Sequence, residues 1–468
     1  MTGRFKSLLP AFSSLFLLAC SNTSEIDENI QNLSLPEHWQ ESKQALAVEN
    51  NWLVQLDNAQ VQLLVKKALA ANHQFSIQAY NLAIAEQQLV VSGSKLWPEL
   101  DLAFRAGRNK DNQTESYSNS NSINLNLSYE VDIWGKLSAA DQLSNYNYLA
   151  QKASFEQYRQ QLVVNVVATW FKVIEADKLL TLYLNRVDNA QQNLTIIEAG
   201  YHSGLSSALD VYLTRNDLNN ELTRVSEQKT EKTRVIRQLE RLIGEYPKGE
   251  LLVNANLPLL TSEIPVGLPS ELISRKPELK ASWYQLLSKD AGLAYAHKQR
   301  FPSIVLSGSV GDSTADIGDL LSGSSLAWSL LGSVSAPIFN AGRLKANEEK
   351  ARLELKQGEQ LYLDNLYNAF SDVENAITAE KGLKQSYDTM LEAQENAKIA
   401  ANLSFEQYQS GLVSYTTVLD AQKRSYDAQS TLIKIKSQLI ANRINLHLSL
   451  GGDFSTPSLA SSPAPKAE

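Results

Sequence analysis

Residues 122–134, SINLNLSYEVDIW, alternate apolar and polar side chains without a fault. On a strand, Ile123, Leu125, Leu127, Tyr129, Val131 and Ile133 share one face, and Asn124, Asn126, Ser128, Glu130 and Asp132 the other. LDLAFRAG at 100–107 alternates in the same way, and 303–311 and 325–336 repeat the pattern less cleanly. The period predicts four strands of about ten residues, joined by polar loops over 108–121 and 312–324.

The rest of the chain has a helical period. No proline occurs between Pro98 and Pro247, or between Pro337 and Pro457. Over 136–200 a seam with alternating steps of three and four runs Val163, Val166, Trp170, Val173, Asp177, Leu180, Leu184, Val187, Gln191, Leu194, the spacing of a coiled-coil face. Such a helix is a rod of about 100 Å, which must pack along other rods. Two shorter helices, about 58–95 and 270–299, each end just before a proline.

Both long helical stretches are interrupted alike. IIEAGYHSGLSSALDV at 196–211 and FEQYQSGLVSYTTVLD at 405–420 share Tyr-x-Ser-Gly-Leu. Tyr201 and Tyr408 lie 207 apart, as do Gly135 and Gly342, Gly204 and Gly411, and Gly244 and Gly451. One unit of roughly 200 residues is therefore duplicated. This divides the chain into a first repeat at 58–247, a linker at 248–269, a second repeat at 270–452, and a Ser/Pro/Ala-rich tail at 453–468 expected to be disordered.

Composition adds the compartment. MTGRFKSLLPAFSSLFLLAC has a short basic start, an apolar stretch and Leu-Leu-Ala before Cys20, the only cysteine. This predicts a signal peptide over 1–19 and a lipidated segment over 20–57, with Cys20 as the lipid anchor; an ordinary signal with an incidental cysteine is the alternative. The signal carries two basic and no acidic residues, so the net charge falls from −8 to −10 on its removal. That balance carries no nucleic-acid footprint. The five histidines are scattered, and no catalytic motif, phosphate loop or metal-ligand cluster stands out, so neither an enzyme nor a cofactor is expected.

Four strands form an open sheet whose edges lipid cannot satisfy, and small membrane barrels need at least eight. If these strands span a membrane, several chains share one barrel. Twelve strands from three chains is the simplest closure. A soluble antiparallel sandwich remains the alternative on pattern alone.

YEVDIWGKL (129–137), PIFNAGRLKA (337–346), LPSELISRKPELKA (268–281) and the paired Gly-Leu turns resemble the TolC-like outer-membrane efflux family, over nearly all of 36–452. The lipoprotein start resembles its OprM branch, which serves resistance-nodulation-division pumps. Lys276 departs from the pattern, which usually has a second arginine before the proline. The resemblance implies a mixed α and β membrane protein, a homotrimer. Its 12-stranded outer-membrane barrel, four strands per chain, continues into a periplasmic barrel of 12 helices. It implies a passive conduit carrying toxic compounds or drugs to the exterior. The implied partners are a periplasmic adaptor, an inner-membrane transporter and outer-membrane lipid. A conduit for type I protein secretion and a pore-less periplasmic coiled-coil adaptor are the other readings.

The resemblance also implies site residues. The hairpin tips Gly204, Leu205, Gly411 and Leu412 match those that meet the adaptor. Asp210 matches an aspartate bonded to a tyrosine of the other hairpin, and Tyr408 that tyrosine. Asp420 matches an axial aspartate ring, Thr416 a constriction position and Lys423 a residue that helps lock the periplasmic mouth.

Overall fold

The computed structural model describes residues 25–31, 33, 35–40, 59–113, 115–253, 255–259, 266–320, 322–323 and 325–452. The first repeat runs α1 (Ala59–Ala71), α2 (His73–Ser94), β1 (Glu99–Asp111), β2 (Ser116–Val131), α3 (Lys136–His202) and α4 (Ala208–Leu242). The second runs α5 (Pro269–Arg275), α6 (Pro277–Lys298), β3 (Ser303–Thr314), β4 (Ala327–Ser335), α7 (Arg343–Gln409) and α8 (Tyr415–Ser449). α3 and α7 have 67 residues each, and α4 and α8 have 35 each. Every boundary of α7 and α8 falls 207 residues after its counterpart in α3 and α4, so the duplication is exact to the residue at both hairpins.

The predicted shorter helices are each split. Asn72 divides the first: its Oδ1 accepts the Phe75 N–H at 2.9 Å, and its Nδ2 donates to the Leu242 carbonyl at 2.9 Å. The second breaks at Lys276, whose ψ of 115° is the extended conformation a following proline imposes. Lys276 is buried and pairs with Glu278 at 3.2 Å and Asp372 at 3.6 Å, so an ammonium serves at this position.

The chain divides into two compact units. One comprises residues 80–153 and 280–365 with the N-terminal residues up to 34, and holds the sheet. The sheet is antiparallel, in the order β1-β2-β3-β4. Its register stacks like with like. Leu102, Leu125, Val310 and Trp328 lie side by side on one face, and Asp101, Asn126, Ser309 and Ser329 on the other. Glycines fill the apolar face of the second hairpin at Gly308 and Gly332, opposite Leu330 and Leu306, which is why the alternation there reads less cleanly. The first hairpin is longer than the pattern predicted. Pairing continues through Lys110↔Tyr117 to Asp111↔Ser116. The apolar pattern stops at Phe104 and Ile123 while the main-chain ladder, which needs no apolar side chains, goes on.

At the other end of the sheet Trp134 stacks on Phe301 at 5.4 Å and donates its Nε1–H to the Pro302 carbonyl at 2.7 Å. Trp97, at the same end just before β1, is exposed. Asp132 caps α3: its carboxylate accepts the Leu137 and Ser138 N–H groups at 2.8 Å and the Ser138 hydroxyl at 2.6 Å. Burial pushes the Asp132 pKa up, but these bonds outweigh it and hold the carboxyl below its ordinary range. Residues 28–31 form a helical turn here, with Ile26 and Ile30 buried against Leu286, Leu293, Leu355 and Tyr362. The Glu25 N–H donates to Asp290 and the Asp27 N–H to Glu359, both at 2.9 Å.

The other unit comprises residues 35–79, 154–279 and 366 onward. Its largest core joins Val61, Leu64 and Val65 of α1 to Val163, Val166, Val167, Trp170, Val173 and Ile174 of α3. Val235, Ile236 and Leu239 of α4 and Ile440 and Ile444 of α8 complete it. The predicted seam is buried through Val173 and again at Leu194, with Leu180 and Val187 half-buried between them. Leu184 and Gln191 are exposed, while Leu179, Arg186, Ala190 and Ile197 are buried. Beyond Val173 the buried positions Arg186, Ala190, Asn193 and Ile197 keep steps of four and three but sit one residue before the predicted seam. Among the described residues no helix is long and apolar enough to cross a membrane.

Candidate functional site: the paired helical tips

Each long helix ends in the same motif. The Leu205 N–H donates to the Gly200 carbonyl at 2.7 Å and the Gly204 N–H to Tyr201 at 3.0 Å. In the second repeat Leu412 donates to Gln407 and Gly411 to Tyr408, both at 2.9 Å. This is the paired-bond helix stop that needs a left-handed residue. Gly204 and Gly411 supply it, with φ of +74° and +72°. Leu205 and Leu412 then project into solvent, 84% and 74% exposed.

The restarts differ. Ser207 caps α4 in a reciprocal box: the Asp210 N–H donates to the Ser207 hydroxyl and the Ser207 N–H to the Asp210 carboxylate, each at 3.1 Å. In α8 the equivalent of Asp210 is Thr417. Ser414 caps through its carbonyl, and its hydroxyl meets Thr416 at 2.6 Å and Thr417 at 3.2 Å.

The two hairpins touch through a small core of Ile197, Val211, Tyr415 and Val418, with Phe405, Tyr408 and Leu419 against it. Tyr415 is 1% exposed and its ring lies 5.2 Å from that of Tyr408. Its hydroxyl sits beside Thr214, whose own hydroxyl donates to the Asp210 carbonyl at 2.7 Å. Burial pushes the Tyr415 pKa up to about 12, so it is a neutral phenol at any physiological pH.

Tyr408 is half-buried. Its hydroxyl lies 3.2 Å from Ser206 Oγ, while Asp210 is engaged in its own helix cap. Within one chain these two residues share a neighbourhood but not a bond. Asp420, exposed, accepts from Arg424 Nε at 2.9 Å. Thr416 and Lys423 are also exposed, Lys423 beside a polar cavity of about 490 Å³. That cavity is lined by Arg186, Asp217, Glu221, Arg224 and Tyr426 as well. Cys20 and the 453–468 tail lie outside the described residues, and no group of metal-ligating side chains occurs among the described ones.

The sequence reading passed over Ser206, Tyr415, Arg186 and Arg424. Tyr415 was discoverable, as an aromatic on the first turn of a helix that starts at a tip. Arg186 was not: a charge one position off an apolar seam reads as solvated surface.

Residues 64–245 and 268–452 match the family described as outer membrane efflux protein. The chain belongs to that family. Curated relatives match it over most of its length. The probable outer membrane lipoprotein SilC of Salmonella typhimurium is 25% identical over 463 residues, covering 96% of this chain and 99% of SilC. The solvent efflux pump outer membrane protein SrpC of Pseudomonas putida is 27% identical over 409 residues, covering 85% and 86%. In fold, the chain superposes on the CmeC outer membrane channel of Campylobacter jejuni with a TM-score of 0.82, covering 93% of this chain and 94% of CmeC at 22% identity.

Proposed function

We propose that three copies of this chain close a 12-stranded barrel in the outer membrane and a 12-helix barrel in the periplasm. Together these make the passive exit duct of a tripartite pump. The observation that carries this reading is the sheet. It has one continuous apolar face and one polar face, and β1 and β4 each have an edge without a partner strand among the described residues. In hydrocarbon such edges must be paired, and a ring of copies pairs them all. The polar face, with Asp101, Asn126, Ser309 and Ser329, would then line water.

The tips suit the adaptor contact, since Leu205 and Leu412 are large, apolar and exposed on the turns at Gly204 and Gly411. Asp210, Tyr408, Thr416, Asp420 and Lys423 then surround the periplasmic mouth. The inner-membrane partner is a resistance-nodulation-division transporter, reached directly or through the adaptor. Cys20 is the lipid anchor, five residues before a segment fastened to α6 and α7. A lipid plus a barrel gives two attachments.

The test is in the outer membrane itself. Membrane fractions should yield a heat-dissociable trimer that forms channels in planar bilayers. Deleting the gene should sensitise cells to organic solvents or drugs. Cys20→Ser should lose palmitate labelling while trimers persist. A monomer without channel activity would overturn the reading.

A further inference from the structure

Arg186 occupies a position on α3 where the buried stripe of a coiled coil calls for an apolar residue. It is 2% exposed. Its Nη2 donates to Glu221 of α4 at 2.9 Å. Its guanidinium lies 4.5 Å from the centre of the Tyr426 ring on α8, with the Tyr183 ring at 5.5 Å. One side chain thus touches both helices of the first hairpin and the second helix of the other. Beside it Asn193, also buried, donates its Nδ2–H to Gln422 of α8 at 3.1 Å.

This junction is polar and incompletely bonded. Arg186 Nε and Nη1 and Glu221 Oε2 are buried without hydrogen-bond partners. A buried charge held by one ion pair and the neighbouring ring faces is stable only while all its partners stay in place. Breaking such a pair by removing one partner leaves the other charge buried and uncompensated. An arrangement of this kind has two good states, fully packed or fully hydrated, and the adjoining cavity of about 490 Å³ gives water a way in.

The position matters because of what α8 carries. Tyr426 lies six residues beyond Asp420 and ten beyond Thr416, about 9 and 15 Å along the helix axis. Lys423 lines the same cavity as Arg186. Whatever fixes Tyr426 against the first hairpin fixes the mouth residues with it.

We propose that Arg186 is the tether that holds α8 against the first hairpin, and that its release frees α8 to move when the mouth opens. It acts as a positioning residue, at a distance from the mouth. This rests on the conduit reading, with the mouth at the tips. Rigid helices moving between two packings are a common form of gating. The tether gives the closed packing a buried charged contact that the open one need not keep.

The experiment is single-channel recording of purified trimers in planar bilayers, with uptake of a large antibiotic as a second readout. Arg186→Met keeps the stem and removes the charge. It should raise conductance about threefold or more. Tyr426→Leu should shift it in the same direction by less. The conservative Arg186→Lys, which keeps a cation beside the Tyr426 ring, should hold conductance to within about twofold of wild type. A merely structural arginine would instead lower trimer stability in all variants and leave the conductance of surviving trimers unchanged; that result overturns the tether. So does failure of both Arg186→Met and Tyr426→Leu to assemble. If the wild-type protein forms no channel, the conduit reading falls and the tether with it.

Discussion

The Tyr408 hydroxyl lies 3.2 Å from Ser206 Oγ, so a neutral hydrogen bond joins the two tips of one chain. A neutral bond contributes about 1 kcal/mol, roughly half of a charge-assisted one. Tyr408→Phe alone should therefore loosen the mouth only slightly. Asp210→Ala removes the carboxylate half of the capping box and should cost about 1 kcal/mol of hairpin stability. Both changes together should raise single-channel conductance above either alone. A double variant that conducts like wild type would show that these residues do not hold the mouth.

Asp420 is paired with Arg424 at 2.9 Å within its own helix. Both side chains are more than half exposed, so the pair is worth little in stability but much in local charge. Three symmetry-related Asp420 carboxylates around an axis would attract multivalent cations. Asp420→Ala should weaken channel block by such cations, and Arg424→Ala, which unmasks the carboxylates, should strengthen it. Unchanged block in both variants would place Asp420 away from the axis.

Trp170 is fully buried among residues of α1, α3, α4 and α8. Trp170→Ala should cost about 3–5 kcal/mol. The expected outcome is a marked fall in the dissociation temperature of the trimer on gels, with no change in ion block at the mouth. That combination separates core packing from the site.

Much of this fold was legible because the sequence states it twice. Pairs such as Gly204 and Gly411 fixed the hairpin tips, and Ile123 to Ile133 fixed which face of the sheet is apolar. Three things were hidden. Apolar alternation marks a face and not a ladder, so pairing at Lys110 and Tyr117 went unseen. Beyond Val173 the buried stripe sits one residue before the apolar seam, at Arg186, Ala190 and Asn193, which hid Arg186. Hydrogen-bond partners are set by rotamers across elements, so the bond of Tyr408 to Ser206 could not be read from spacing.

The cluster around Arg186 also carries a pH dependence. Around Arg186 of α3 stand Asp217, Glu221 and Arg224 of α4 and Tyr426 of α8, with Asp427 of α8 acting on Glu221. Burial pushes the pKa values of both Asp217 and Glu221 up, and the attraction of Arg186 and Arg224 only partly offsets it. Both carboxyls are therefore harder to ionise in the packed state than in water. A carboxyl whose pKa is raised in the packed state binds protons more tightly there than where water reaches it. The packed state therefore gains as pH falls through the raised values and loses as pH rises above them. Acidification from about pH 7 to about pH 5 should lower channel conductance, and Glu221→Gln with Asp217→Asn should flatten that response. Conductance that rises on acidification, or a response that survives in the double variant, would assign the titration to other groups.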